Sequence, residues 1–170
     1  MTPTTRRGGS AYARVRGFGL MEAMASMLLL SLCALAYAAL QVRGLSANTS
    51  AMWRSKAALL SYEMADRMRA NRAGFSAGGY SSLTVPTAVT DCGVASSCTP
   101  TRMALLDYWQ WSTAIAAQLP GGSGVVCLDS TPDDGTAAAP ACDGAGAAYV
   151  VKLFWSERGT ASRLVLAVRP

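Results

Sequence analysis

The sequence predicts an α+β fold: a long N-terminal helix, first apolar and then amphipathic, packs with a second helix on a small antiparallel sheet. Three observations predict it. Residues 23–42 carry no charge. Trp53, Ala57, Leu60, Met64 and Met68 recur at steps of 4, 3, 4 and 4, the spacing of one helical face. The last third of the chain holds short β-rich runs separated by turn-forming residues.

Twenty helical residues span about 30 Å, the thickness of a bilayer core, so 18–42 reads as a transmembrane helix. A secretory signal has a shorter apolar core followed by a cleavage site of small residues, so this segment is expected to be retained. Arg6, Arg7, Arg14 and Arg16 precede it with no acid among them. That bias keeps the N-terminus in the cytoplasm and sends the rest of the chain outside. No proline interrupts residues 4–85, so the same helix continues through 43–72 outside the membrane. There Arg54, Lys56, Glu63, Asp66, Arg67 and Arg69 lie mostly off the apolar stripe. Gly74, Gly78 and Gly79 end the helix near Asn71–Arg72.

Residues 73–170 read as an exported α+β domain, of which 73–99 is a loop. Thr99 caps the second helix and Pro100 takes its first position. Leu105, Tyr108, Trp109, Ile115, Ala116 and Leu119 fall on one face, and Pro120-Gly121-Gly122 stops it. Strands follow at Gly124–Leu128, Ala148–Trp155 and Ser162–Val168, the last two joined by the turn Glu157-Arg158-Gly159-Thr160. Between the first two, "DSTPDDGTAAAPACDGAGA" is a turn-rich excursion closed by Cys142.

The net charge of +5 divides unevenly: +4 in residues 1–17, −1 at Glu22, +4 in 43–72 and −2 in 73–170. A slightly acidic domain offers no basic face, so no nucleic-acid partner is expected. Cys33 lies in the apolar segment, where it reads as a small apolar residue. Cys92, Cys98, Cys127 and Cys142 lie beyond it, an even count that suggests two disulfides in an oxidising compartment. Three connectivities are open; sequential pairing, Cys92–Cys98 with Cys127–Cys142, needs the least chain rearrangement. Zinc is disfavoured because C-x5-C and C-x14-C lack the close ligand spacing of structural sites. Histidine is absent, which excludes a Ser-His-Asp triad, a Cys-His pair and H-E-x-x-H metal chemistry. Asp129, Asp133, Asp134 and Gly135 hint at a calcium loop, but their spacing does not fit an EF-hand and a solvated turn is expected. Asn48-Thr49-Ser50 is a formal glycosylation sequon placed on the long helix, where chance suffices to explain it. Trp109, Trp111 and Trp155 are expected to fill the core. Neither an enzyme nor a cofactor is expected.

"G-F-G-L-M-E" followed by about twenty apolar residues resembles the class III signal of type IV pilins and type II secretion pseudopilins. The resemblance implies a leader, residues 1–17, removed by a prepilin peptidase between Gly17 and Phe18. It implies methylation of the new Phe18 amine, with Glu22 as the fifth mature residue and the one that guides assembly. Gly19 and Met21 replace the more usual Thr and Ile; the cut site and the carboxylate remain. An ionised carboxylate within a span costs several kcal/mol unless paired. Cleavage would expose an amine one helical turn from Glu22, or present the amine of a neighbouring subunit.

Residues 55–75 resemble the extramembrane helix of PilV-type minor pilins, carried by Met64-Ala65-Asp66-Arg67-Met68-Arg69-Ala70-Asn71; "LPGGSGVVC" and "YVVKLFWSERG" are also similar to that family. The fold implied is pilin-like, and Asp66, Arg67 and Arg69 become candidate subunit contacts. The implied function is that of a minor pilin that helps to initiate type IV pilus assembly. Implied partners are the prepilin peptidase, other minor pilins, the major pilin and a PilY-type tip adhesin. The implied location is the bacterial inner membrane and then the pilus, with adhesion and twitching motility as its context. A type II secretion pseudopilin and a DNA-uptake pilus subunit are the alternative readings.

Overall fold

A computed structural model describes residues 19–92 and 98–169 of the chain. The order of elements is α1 (Leu20–Ala70), α2 (Arg72–Ser76), β1 (Ser82–Leu83), α3 (Pro100–Gln118), β2 (Ser123–Leu128), β3 (Tyr149–Glu157) and β4 (Thr160–Val168). Two compact units, Met1–Leu45 and Ser46–Pro170, divide the chain within α1. In the first, among the described residues, the large apolar side chains of α1 are exposed. The second holds the core.

From residue 57 onward, α1 buries Ala57, Leu60, Met64 and Met68, with Ser61 and Ala65 beside them; Trp53 is half-buried. That is the expected stripe. Ser61, polar and buried, returns its hydroxyl to the Ala57 carbonyl at 2.9 Å. The sheet is antiparallel in the order β1-β2-β3-β4, with Val126 opposite Val151 and Leu153 opposite Leu164. The hairpin between β3 and β4 closes on Arg158 and Gly159, at φ 53° and 80°. Two successive left-handed residues suit a two-residue turn, so both strands run closer to it than the hydrophobic runs suggest.

Three expectations are corrected. Residues 73–99 are not wholly loop: they contain α2 and the two-residue β1, which adds a fourth strand through the pairs Ser82–Cys127 and Leu83–Val126. On α3 the buried face is Ala104, Tyr108, Trp111 and Ile115, continued by Leu119; Ala116 is exposed and Trp109 only half-buried. Trp111 sets this phase, because its indole Nε1 donates to the Leu60 carbonyl of α1 at 2.7 Å. Tyr108 donates to the Gly124 carbonyl of β2 at 2.9 Å, so α3 is tied to both neighbours. The approach is close: a Cβ on Gly124 would lie 2.5 Å from Trp111 Cη2.

The third correction concerns the excursion after β2. Asp129 does not sit in a solvated turn; it is 3% exposed. The outward face of the sheet presents Val125, Cys127, Lys152 and Phe154, and the excursion covers it. The disulfide Cys127–Cys142 pins the excursion, and Cys92–Cys98 closes the other pair. Lys152 is fully buried in β3. Its ammonium contacts the Asp129 carboxylate, donates to Asp134 Oδ1 and the Pro140 carbonyl at 2.9 Å each, and reaches the Asp134 carbonyl at 3.3 Å. Burial by itself would lower the Lys152 pKa; the carboxylates of Asp129 and Asp134 outweigh it and hold the group above the ordinary lysine value. Arg163 of β4 donates to the carbonyls of Asp133 and Gly135 and fastens the same segment.

Two measurements follow from this packing. Lys152→Met should destabilise the fold by about 3–5 kcal/mol, because it strands Asp129 as a buried unpaired charge. The double variant Lys152→Met/Asp129→Leu should recover much of that loss; chemical denaturation followed by tryptophan fluorescence decides, and a single-variant loss below about 1 kcal/mol would refute the arrangement. Stability should also fall in alkali. Tyr108 is pushed up to about 12 by burial, Tyr80 is raised by burial and by its bond to Asp107, and Lys152 is raised as above. All three stay protonated in folded and unfolded chains below about pH 10, so their contribution is complete there. Above it the unfolded chain loses protons that the folded chain keeps, so stability declines toward pH 12; Tyr108→Phe should flatten that decline.

Candidate functional site

The first candidate is the start of α1. Between Leu20 and Val42 every large apolar side chain is exposed; Leu20, Met21 and Leu30 are each more than 70% exposed. An 18-residue window of α1 reaches a mean hydropathy of 2.1 with none of it buried. The polar interruptions satisfy themselves: Ser26 donates to the Ala23 carbonyl at 2.9 Å and Ser31 to the Leu28 carbonyl at 2.8 Å. Such a surface suits lipid or other apolar helices, since no side-chain hydroxyl of Ser26 or Ser31 is left to seek water. Cys33 is a free thiol on this stretch.

Glu22 lies in the first turn of α1, where its own amide donates to the Gly19 carbonyl at 3.0 Å. The N-terminal end of a helix favours a negative charge there. Among the described residues no cation forms an ion pair with it. Gly17 and Phe18, the expected cleavage and methylation positions, lie outside the described residues.

The second candidate is the end of α1, residues 63–71, where polar side chains converge on α2, α3 and the segment between them. Arg67 donates to Glu63 Oε1 at 2.8 Å, to Gln110 Oε1 at 2.9 Å and to Asp107 Oδ1 at 3.5 Å. Asp107 Oδ2 accepts from the buried Tyr80 hydroxyl at 2.7 Å, and that hydroxyl accepts from Asn71 Nδ2 at 3.1 Å. Asn71 also donates to the Pro100 carbonyl at 2.7 Å, while its Oδ1 accepts the Gly74 amide at 3.1 Å and so caps α2. Burial and the hydrogen bond to Asp107 raise the Tyr80 pKa well above the ordinary phenol range, so Tyr80 remains a donor. Among the described residues no cluster of His, Cys, Asp or Glu could hold a metal ion.

The three candidate contact residues therefore separate. Arg67 is committed inside the folded unit. Asp66 and Arg69 pair with each other at 2.8 Å on the exposed side, with side chains 72% and 58% exposed. Sequence reasoning missed Tyr80 and Asp107, and it missed Lys152. The signal for Asp107 was an acid among the apolar residues of α3; for Lys152 it was a lone cation within "YVVKLFW".

Asn71→Ala should cost about 1–2 kcal/mol by removing the cap and two further hydrogen bonds. Asp66→Ala/Arg69→Ala should cost less than about 0.5 kcal/mol, being an exposed pair. Equal losses in chemical denaturation would contradict this division of roles.

No curated protein and no solved structure matches the chain. Residues 39–109 match the model of the Tt1218-like family, described as type IV pilin Tt1218. The matched stretch takes in Arg67, Asn71, Tyr80 and Asp107 of the junction described above and ends just before Gln110. Over that stretch, which is less than half of the chain, the protein is similar to type IV pilins.

Proposed function

We propose that the chain is a minor pilin of the PilV type, a structural subunit and not an enzyme, which helps to initiate a type IV pilus. In this reading it is made as an inner-membrane precursor with its N-terminus in the cytoplasm and residues 73–170 in the periplasm. The prepilin peptidase cuts between Gly17 and Phe18, the Phe18 amine is methylated, and the subunit joins other minor pilins and the major pilin. It stands near the fibre tip, beside a PilY-type adhesin. The observation that carries the reading is the uncovered apolar surface of Leu20–Val42 with one carboxylate, Glu22, in its first turn. A carboxylate held in apolar surroundings needs a cation, and the amine released at Phe18 supplies one a helical turn away. Moving from lipid into a bundle of like helices keeps the apolar surface covered, and the Glu22–amine pair gives the move its register.

Mass spectrometry of the mature protein should find a methylated Phe18 at its start; an intact Met1 or a cut near Ala39 overturns the processing. Glu22→Ala should lower piliation while the protein stays in the membrane fraction, and normal pili in that variant would overturn the role of Glu22.

A further inference from the structure

The last turn of α1, the helix α2 and the end of β4 enclose a hollow of about 120 Å³, lined by Met68, Arg69, Arg72, Phe75, Val168 and Arg169. Its floor is apolar, since Met68, Phe75 and Val168 are all buried core residues. The other lining residues, which form its rim, are three arginines. Arg69 is paired with Asp66, but among the described residues no carboxylate lies within ion-pair distance of Arg72 or Arg169. This gathering of positive charge stands out from the rest of the domain. The unit Ser46–Pro170 is only +1 overall, and several of its other basic groups are committed. Arg102 pairs with Asp91, Lys152 with Asp129 and Asp134, and Arg163 with two carbonyls.

We propose that this hollow docks a protein segment that presents a carboxylate beside one short apolar side chain. A carboxylate entering a hollow lined by arginines accepts paired, charge-assisted hydrogen bonds from their guanidinium groups. The volume is well below the roughly 300–1,000 Å³ of sites that enclose a drug-sized ligand, and it suits a single side chain. An acyl chain would need a longer groove, and a nucleic acid would need a broader basic surface with exposed aromatic platforms. The proposal rests on the folded unit Ser46–Pro170 and stands or falls independently of the pilin reading.

The test uses the full-length protein in detergent micelles and a fluorescein-labelled hexapeptide of alternating Asp and Leu, read by fluorescence anisotropy. An Asn-Leu peptide of the same length is the control. The Asp-Leu peptide should bind at least about tenfold more tightly than the Asn-Leu peptide, and Arg72→Glu/Arg169→Glu should lose at least about tenfold in affinity with its circular dichroism unchanged. Arg54→Glu/Arg158→Glu, which leaves the rim intact, should bind as the parent does. Equal binding of the two peptides, or unchanged affinity in the rim variant, overturns the proposal. So does binding to phosphatidylglycerol vesicles, lost in the rim variant, that exceeds binding of the peptide; the hollow would then be a lipid contact.

Discussion

The contact between α1 and α3 is the interaction on which the rest depends. Ala57, Leu60, Met64 and Met68 of α1 meet Trp111, Tyr108 and Ile115 of α3 in one core, and the indole of Trp111 reaches the backbone of α1 itself. Without it the amphipathic half of α1 would have an apolar stripe and nothing to cover it. With it, β2 and β3 gain a surface to lie against: Tyr108 bonds to β2, and Val126, Val151, Leu153 and Trp155 close the layer. Non-directional burial supplies the attraction, while two directed hydrogen bonds fix which face of α3 is used.

Around that core the polar groups fall into two networks with different tasks. Arg67, Asp107, Tyr80 and Asn71 sit at the end of α1 and hold α2 and the start of α3 in place. Lys152, Asp129 and Asp134 sit on the opposite side of the sheet and hold the excursion over it. In both a buried group is bonded to several partners, which is what makes its burial tolerable. The second network explains why β3 reads as an almost unbroken apolar run: it is covered on both faces, by helices on one side and by the excursion on the other.

Much of this was legible in the residues. The stripe on α1 followed from its spacing, the β3–β4 hairpin from the turn at Glu157–Thr160, though not how tightly it closes, and the cap of α3 from Thr99-Pro100, the Thr99 hydroxyl accepting the Arg102 amide at 3.3 Å. The phase of α3 was not, because Leu105, Leu106 and Trp109 make its apolar arc too broad for spacing alone to choose a face. Lys152 was hidden for another reason. Its partners lie 12 to 23 positions away in a segment rich in Gly, Pro and Asp, where local composition says turn and cannot say which acid turns inward. Tyr80 and Asp107 were hidden in the same way, joined only through the folded chain. Glu22 stood out without any structure, since a carboxylate in an apolar run needs an explanation.

The attachment of α1 has a mechanical consequence. Ser50 donates to Glu157 at 2.6 Å, the Trp111 indole donates to the Leu60 carbonyl, and Arg67 holds Asp107. These fastenings are spread over about five turns of one helix. A pull along the helix axis is therefore shared among them at once, like tension on a seam with many stitches, and no single fastening has to carry the whole strain before the next engages. A domain fastened this way resists being stripped from its helix, even though each stitch alone is weak.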